Sequence, residues 1–434
     1  MTVPSTEPVA TPSAVDLDAL GAVDALSAAE AVDALDLDAV DLTDPRTFVG
    51  TDLYALWRRF RTERPVHQHR ATAQLPSFWA LTRYDDVLAV YKDNQRFTSE
   101  RGNVLTTLLQ GGDSAGGKML AVTDGARHRA IRNLMLRSFS PRALDHVVAQ
   151  VRLRTTELLG RALGQGTFDY AAEVAEHIPM GTICDLMAVP PQDRQRLLDW
   201  NKQVLSADSA DGSAEEAWLA RNEILLYFSD LARARRRNPG DDVISALATG
   251  EVDGVPLSED EIIFNCYSLI IGGDESSRMA SIGAVLAFAQ HPEQWRAFKA
   301  GQVSVASAAE EILRWTTPAM HFGRRALVDL EIGGRQIAAG DIVTLWNTSA
   351  NFDDEVFADP RTFDLARTPN KHVTFGYGPH FCLGAFLGRE ELKALLEALR
   401  EQVAGIEQAG PAARVYSNFL FGYSTLPVTL HPER

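Results

Sequence analysis

The chain has 434 residues, is 45% hydrophobic and 23% charged, and carries a net charge of −16, an ordinary globular balance whose acidic excess speaks against nucleic-acid or anionic-membrane binding. No apolar run approaches the roughly 20 residues of a membrane span and there is no basic-plus-apolar signal segment, so no membrane association is expected. Three scattered cysteines, Cys184, Cys266 and Cys382, are too few for a disulfide framework and point to a reducing cytoplasm.

Residues 1–44 contain no Lys or Arg and repeat Val-Asp-Ala-Leu and Leu-Asp-Ala-Val units. Acid without compensating base is expected to leave this stretch a disordered tail. Globular structure is expected from Asp44-Pro45, as one domain over 45–434. Leu53–Phe60 reads as a helix, Phe78–Leu81 as a strand and Tyr84–Tyr91 as a second helix. The run from Gly111 to Gly117 forms a loop between Gln110 and Lys118. It lacks the Gly-Lys-Ser/Thr ending of a phosphate loop.

His128 and Arg132 stand four apart and share one face of a predicted helix. From Ala143 to Leu247 the chain is mainly helical, with breaks at Pro190-Pro191 and Asn238-Pro239-Gly240. The basic run Arg233–Arg237 suits a helix C-terminus. Segment 205–217 reads as a flexible connection.

The longest helical pattern runs from Ser258 to Gln290, with a capping-box start at Ser258-Glu261. Gly272 and Gly273 interrupt it, at a cost of about 1 kcal/mol each relative to Ala. Close helix packing or a kink would account for them. Alternatively, the missing side chains admit a ligand and Glu275 with Ser276 relays protons beside it.

Glu311 and Arg314 sit at i and i+3 on a later helix, a pair with little meaning in isolation. Met320, His321 and Phe322, with Ile270 upstream, are candidates for lining a pocket, and Arg324-Arg325 begins a strand. Ile337 to Trp346 reads as strands around an Ala339-Gly340-Asp341 turn, and Leu426–Leu430 as the last strand. Between these lies the most informative stretch, Phe375 to Gly384, where Cys382 ends a glycine-rich loop before a helix predicted over 385–400. A helix N-terminus favours thiolate. Such a thiolate suits a nucleophile, a zinc ligand or an axial haem ligand, and the lack of a nearby CxxC or HxxxH partner disfavours zinc.

The decapeptide matches F-x-x-G-x-x-x-C-x-G at every fixed position and resembles the haem-binding signature of the cytochrome P-450 family. The likeness extends over 45–434: His128 and Arg132 fit H-x-x-x-R, Gly272 to Ser276 fits [A/G]-G-x-[D/E]-T with Ser for Thr, and Glu311 to Arg314 fits E-x-x-R. Ser349–Asp353 resembles S-A-N-R-D with Phe352 for Arg, and Asp359–Phe363 resembles D-P-x-x-F with Thr362 where Arg is common, leaving Arg367 as a replacement.

The resemblance implies a mainly α fold with small β-sheets (α+β), with haem b between the long central helix and the cysteine loop. Cys382 would be its iron ligand. Phe375, Gly273, His128, Arg132, Arg324 (Arg325 as fallback) and His380 would hold it, with Glu311 and Arg314 as a structural ion pair. Glu275 and Ser276 would guide protons to O2, with Ser277 as an alternative alcohol. A monomeric monooxygenase is implied, acting on a small organic substrate such as a secondary-metabolite intermediate, free or carrier-tethered. Electrons would come from NAD(P)H through a ferredoxin reductase and a ferredoxin docked at Arg129, Arg137 and Lys371. Two rivals stay open: a peroxide-driven or cross-linking haem-thiolate enzyme, and a non-catalytic recruitment module of the same fold.

Overall fold

A computed structural model describes residues 32–72, 75–205 and 213–433. Eleven helices carry the argument: α1 (Leu53–Glu63), α2 (Tyr84–Lys92), α3 (Gly125–Leu136), α4 (Pro141–Ala162), α5 (His177–Leu186), α6 (Arg194–Leu205), α7 (Ala214–Arg237), α8 (Glu259–Gly273), α9 (Glu275–Gln290), α10 (Val305–Thr316) and α11 (Ala385–Gln402). Their ends follow local chemistry. Ser140 caps α4 ahead of Pro141, and Ser258 with Glu261 forms a reciprocal capping box on α8. α7 opens on Glu215 and Glu216 and closes on Arg235 to Arg237, charges that complement the helix dipole.

Eight strands complete the frame: β1 (Val66–His69), β2 (Phe78–Leu81), β3 (Phe97–Thr98), β4 (Thr167–Asp169), β5 (His321–Ala326), β6 (Ile342–Trp346), β7 (Val403–Gln408) and β8 (Pro427–Pro432). The larger sheet runs β1-β2-β6-β5-β3. Its β2–β6 pair is parallel and the others are antiparallel. A smaller sheet runs β7-β8-β4. The main core lies among the helices, where Val151, Leu159, Ile282, Phe288, Ile312, Leu396 and Leu399 are buried together. This is the mainly α fold with small sheets expected from sequence.

Three boundaries differ from expectation. The packed chain does not start at 44/45: Val32, Leu37 and Leu42 are buried beside Trp57 and Trp346. Arg59 Nη1 donates to the carbonyls of Val32 and Leu35 at 2.7 and 2.8 Å. The leucines of the acidic repeat find an apolar surface to cover, and arginines outside the segment supply the base that it lacks, Arg64 and Arg70 each lying 3.8 Å from Asp38. The rest of the expected tail, residues 1–31, lies outside the described residues. In the segment expected to be a flexible connection, α7 is already helical from Ala214, and residues 206–212 lie outside the described part. The central helix is two helices, because Asp274 (φ −82°, ψ −71°) separates α8 from α9.

Among the described residues, no helix is long and apolar enough to cross a membrane.

Candidate active site

The cysteine loop is shaped by two left-handed glycines, Gly376 (φ 65°) and Gly378 (φ 70°). These values suit glycine because it lacks a Cβ; a Cβ on Gly378 would also collide with the Tyr91 carbonyl. The Cys382 amide donates to the Phe375 carbonyl at 2.9 Å, which folds the loop back on itself. α11 begins three residues later. Arg389 of α11 lies over the Phe375 ring at 4.5 Å and is held by Glu310 at 2.6 Å.

Cys382 presents exposed surface, yet it sits deep enough for burial to be the largest influence on its thiol, pushing the pKa up. The Gly384 amide, Arg132 and Arg389 oppose that rise. A free thiol here is protonated. A coordinated metal would deprotonate it outright, and the surrounding donors would then stabilise the sulfur's charge.

Around the cysteine stand the basic residues expected from sequence. Arg132 Nη2 donates to the Phe381 carbonyl at 2.6 Å. The His128 and His380 rings lie 4.3 Å apart. His128 is held near pKa 4 by burial, then by His380 and Arg132, so it is neutral, and its buried Nε2 has no partner. Arg324 is buried, donates to its own neighbour's Gly323 carbonyl at 2.7 Å and lies 5.7 Å from the Tyr91 ring. Arg325 instead faces outward to the Gly340 carbonyl. His380 Nε2 meets Asp124 Oδ1 at 2.8 Å.

Asp124 was not singled out from sequence, although an acid just before the first turn of α3 is a helix-start signal. It also accepts from Thr98 Oγ1 at 2.6 Å and from the Ser99 amide at 2.7 Å. These bonds and His380 outweigh burial and hold its carboxyl well below the usual range. Arg132 and Arg324 thus make no carboxylate bond among the described residues, and His128 keeps a donor or acceptor atom to spare. Two arginines without a carboxylate partner, beside a histidine with an unsatisfied ring nitrogen, fit a group with carboxylates to bind. The haem implied by the cysteine loop has two.

The helix interruption is less symmetrical than its two glycines suggest. A Cβ on Gly273 would press on Ile183 of α5 at 2.9 Å, whereas Gly272 has nothing within 4 Å of that position. Gly273 therefore packs close against α5, and Gly272, itself exposed, has open space beside it. Gly273 is the glycine expected to touch the cofactor, and its Cβ direction is the one that Ile183 fills.

Ser276 Oγ donates to the Gly272 carbonyl at 3.2 Å. Glu275 pairs with Arg278 at 2.7 Å. Ser277 is committed elsewhere, donating to Glu391 of α11 at 2.6 Å, and so ties α9 to the helix that follows Cys382.

Glu311 and Arg314 are fully buried and paired at 2.7 Å. Arg367 Nε reaches Glu311 at 3.1 Å, so a third charge completes the pair where Thr362 stands in place of the common Arg. Phe352, the other departure, lies 4.8 Å from the Arg314 guanidinium. Of the candidate pocket residues, Ile270, Met320 and His321 are fully buried. The His321 ring packs 4.5 Å from Trp346. Phe322 is half-buried.

A family model described as Cytochrome P450 matches residues 305–401. Cytochrome P450 NovI of Streptomyces niveus is 47% identical over 395 residues, covering 91% of this chain and 97% of that protein. The chain belongs to the cytochrome P450 family. A methyl-branched lipid omega-hydroxylase of Mycobacterium tuberculosis is 36% identical over 85% of the chain and 89% of its own length. The crystal structure of P450 OxyD, involved in the biosynthesis of vancomycin-type antibiotics, superposes with a TM-score of 0.84 at 34% identity, covering 91% of this chain and all of that one. This cytochrome P450 is a monooxygenase by kinship, and the fold is that of its relatives.

Proposed function

We propose that this P450 holds haem b through Cys382 and oxidises a small organic intermediate of bacterial secondary metabolism, such as an antibiotic precursor, free or tethered to a carrier protein. One observation carries the reading: Cys382 sits beside Arg132, with His128, Arg324 and His380 grouped nearby and one carboxylate, Asp124, among them. In this reading Cys382 is the axial ligand and Arg132, Arg324, His128 and His380 hold the propionates. Bound there, haem would supply the activation of dioxygen that hydroxylation requires, and thiolate ligation favours O–O cleavage.

The chain's own residues do the rest. Gly272 leaves room beside α8. Ser276 offers a hydroxyl, at present donated to the Gly272 carbonyl, and Glu275 holds a carboxylate that Arg278 orients. Phe322, half-buried at the start of β5, is the pocket candidate with surface to offer; Ile270, Met320 and His321 shape the wall behind. The similarity to OxyD supports an antibiotic-type intermediate, whereas the kinship with a lipid hydroxylase shows how widely substrates vary on this fold.

Electrons would come from NAD(P)H through a ferredoxin reductase and a ferredoxin, acting on a monomer in the cytoplasm. Arg129, Arg137 and Lys371 are all exposed, as are the apolar Leu136, Tyr377, Phe381 and Phe386 on the cysteine loop and the adjoining helices. That mixture suits an acidic redox partner.

The replacement of Thr by Ser276 favours one second reading, a peroxide-driven or cross-linking haem-thiolate enzyme. Product analysis with ferredoxin, reductase and NAD(P)H, run beside hydrogen peroxide alone, separates the two. Product with the reductase system supports the proposal; product with peroxide only overturns it. A protein purified without haem that cannot be loaded would leave only the recruitment module.

A further inference from the structure

Where the central helix breaks, Asp274 is 3% exposed and Asn201 of α6 is fully buried. Asn201 Nδ2 donates to Asp274 Oδ2. Each residue keeps one further buried atom without a partner, Asn201 Oδ1 and Asp274 Oδ1. If Asp274 were ionised, both atoms would be acceptors with no donor between them, a costly arrangement away from water. A proton on Asp274 removes the conflict. The acid O–H would then be free to donate to the amide oxygen while the amide N–H donates to the other carboxyl oxygen, a two-bond ring that would satisfy both side chains. Such a ring can form with either assignment of the Asn201 amide.

The charges around the pair point the same way. On its own element Asp274 faces Glu275 and Arg278, and Arg278 is already bonded to Glu275. Across from it are Glu176, just ahead of α5, and the buried thiol of Cys184 within α5. On α6, Lys202 neutralises Glu176 at 2.6 Å. Two adjacent buried acids with one arginine between them favour one of the acids being neutral.

We infer that Asp274 is a positioning residue, held as a neutral carboxylic acid in a paired bond with Asn201, which clamps α6 to the interruption between α8 and α9. Burial, followed by the Glu275 charge, raises the Asp274 pKa to about 8, so the neutral form prevails through the physiological range. The clamp fixes the backbone immediately before Glu275 and Ser276. Its effect on turnover rests on the function proposed above; the protonation state does not.

The test is infrared difference spectroscopy of wild type against Asp274→Asn, on the full chain as purified. The expected result is a protonated-carboxyl C=O band at neutral pH that is missing in Asp274→Asn and fades as the pH is raised through about 8. Glu391, also buried and raised, is common to both proteins and cancels. Asn201→Leu keeps the acid but removes its partner, and should shift that band. No carboxyl difference at neutral pH, or a band indifferent to Asn201→Leu, overturns the inference.

Denaturation supplies a second readout with a definite sign. A folded pKa near 8 against an ordinary 3.8 means the native state binds the extra proton. Wild type should therefore lose stability relative to Asp274→Asn as pH rises from about 4 to 8, and a flat difference across that window contradicts the clamp. In the haem-loaded enzyme Asp274→Asn should preserve product formed per NAD(P)H, because an amide can keep both bonds. Asp274→Ala should lower it about tenfold, the equivalent of one hydrogen bond. Equal losses in both variants would overturn the positioning role even if the band is present.

Discussion

Asp124 Oδ1 lies 2.8 Å from His380 Nε2, joining residues 256 positions apart. The bond fastens the start of α3 to the cysteine loop and so fixes His128 and Arg132 relative to Cys382. Asp124→Asn keeps the shape but loses the charge on three accepted hydrogen bonds. It should cost about 1–3 kcal/mol at neutral pH, measured by denaturant unfolding. The Asp124 carboxyl titrates below its ordinary 3.8, so its contribution is present above that pH and lost as pH falls through the depressed folded value. The gap between wild type and Asp124→Asn should therefore close in acid.

Glu311 receives bonds from Arg314, Arg367 and Asn370 in a site with no exposure of either Glu311 or Arg314. Glu311→Ala leaves two arginines with uncompensated charge in the interior. The expected loss is about 3–5 kcal/mol, read by unfolding and by yield of folded protein. Arg367→Ala leaves the Glu311–Arg314 pair in place and should cost less.

The glycines at the helix break should respond oppositely. Gly272→Ala meets open space and gains helix propensity of about 1 kcal/mol, so the protein should be more stable but bind ligand less readily. Gly273→Ala meets Ile183 and should gain no stability, unless Ile183→Val is introduced with it. Thermal unfolding and substrate-induced spectral shifts separate the two effects.

Much of this was legible in the sequence because it follows local rules. The loop glycines, the Pro and the cysteine shape one another within ten residues, and the Ser258 capping box and the i,i+3 pair of α10 are likewise short-range. What escaped was long-range or depended on helix phase. Nothing in the chain announces that Asp124 meets His380, or that Asn201 meets Asp274. The acidic repeat looked unable to fold because its bases, Arg64 and Arg70, lie outside it. Gly272 and Gly273 are equivalent by composition, and only the position of Ile183 tells them apart.

Ser276 already donates to the Gly272 carbonyl, and a β-branched side chain would restrict its rotamer further. Ser276→Thr should raise product formed per NAD(P)H consumed. Ser276→Ala should lower it, on the order of ten- to a hundredfold if the hydroxyl guides protons. Unchanged ratios in both variants would transfer that role to another group.

The proposed function stands or falls with Cys382 ligating a haem iron as thiolate. The most direct measurement is the carbon monoxide difference spectrum of the dithionite-reduced protein, beside Cys382→His. Wild type should show a Soret band at the long wavelength characteristic of thiolate ligation, displaced to the neutral-ligand position in Cys382→His. A wild-type band already at the neutral-ligand position, or no haem band after loading, would contradict it.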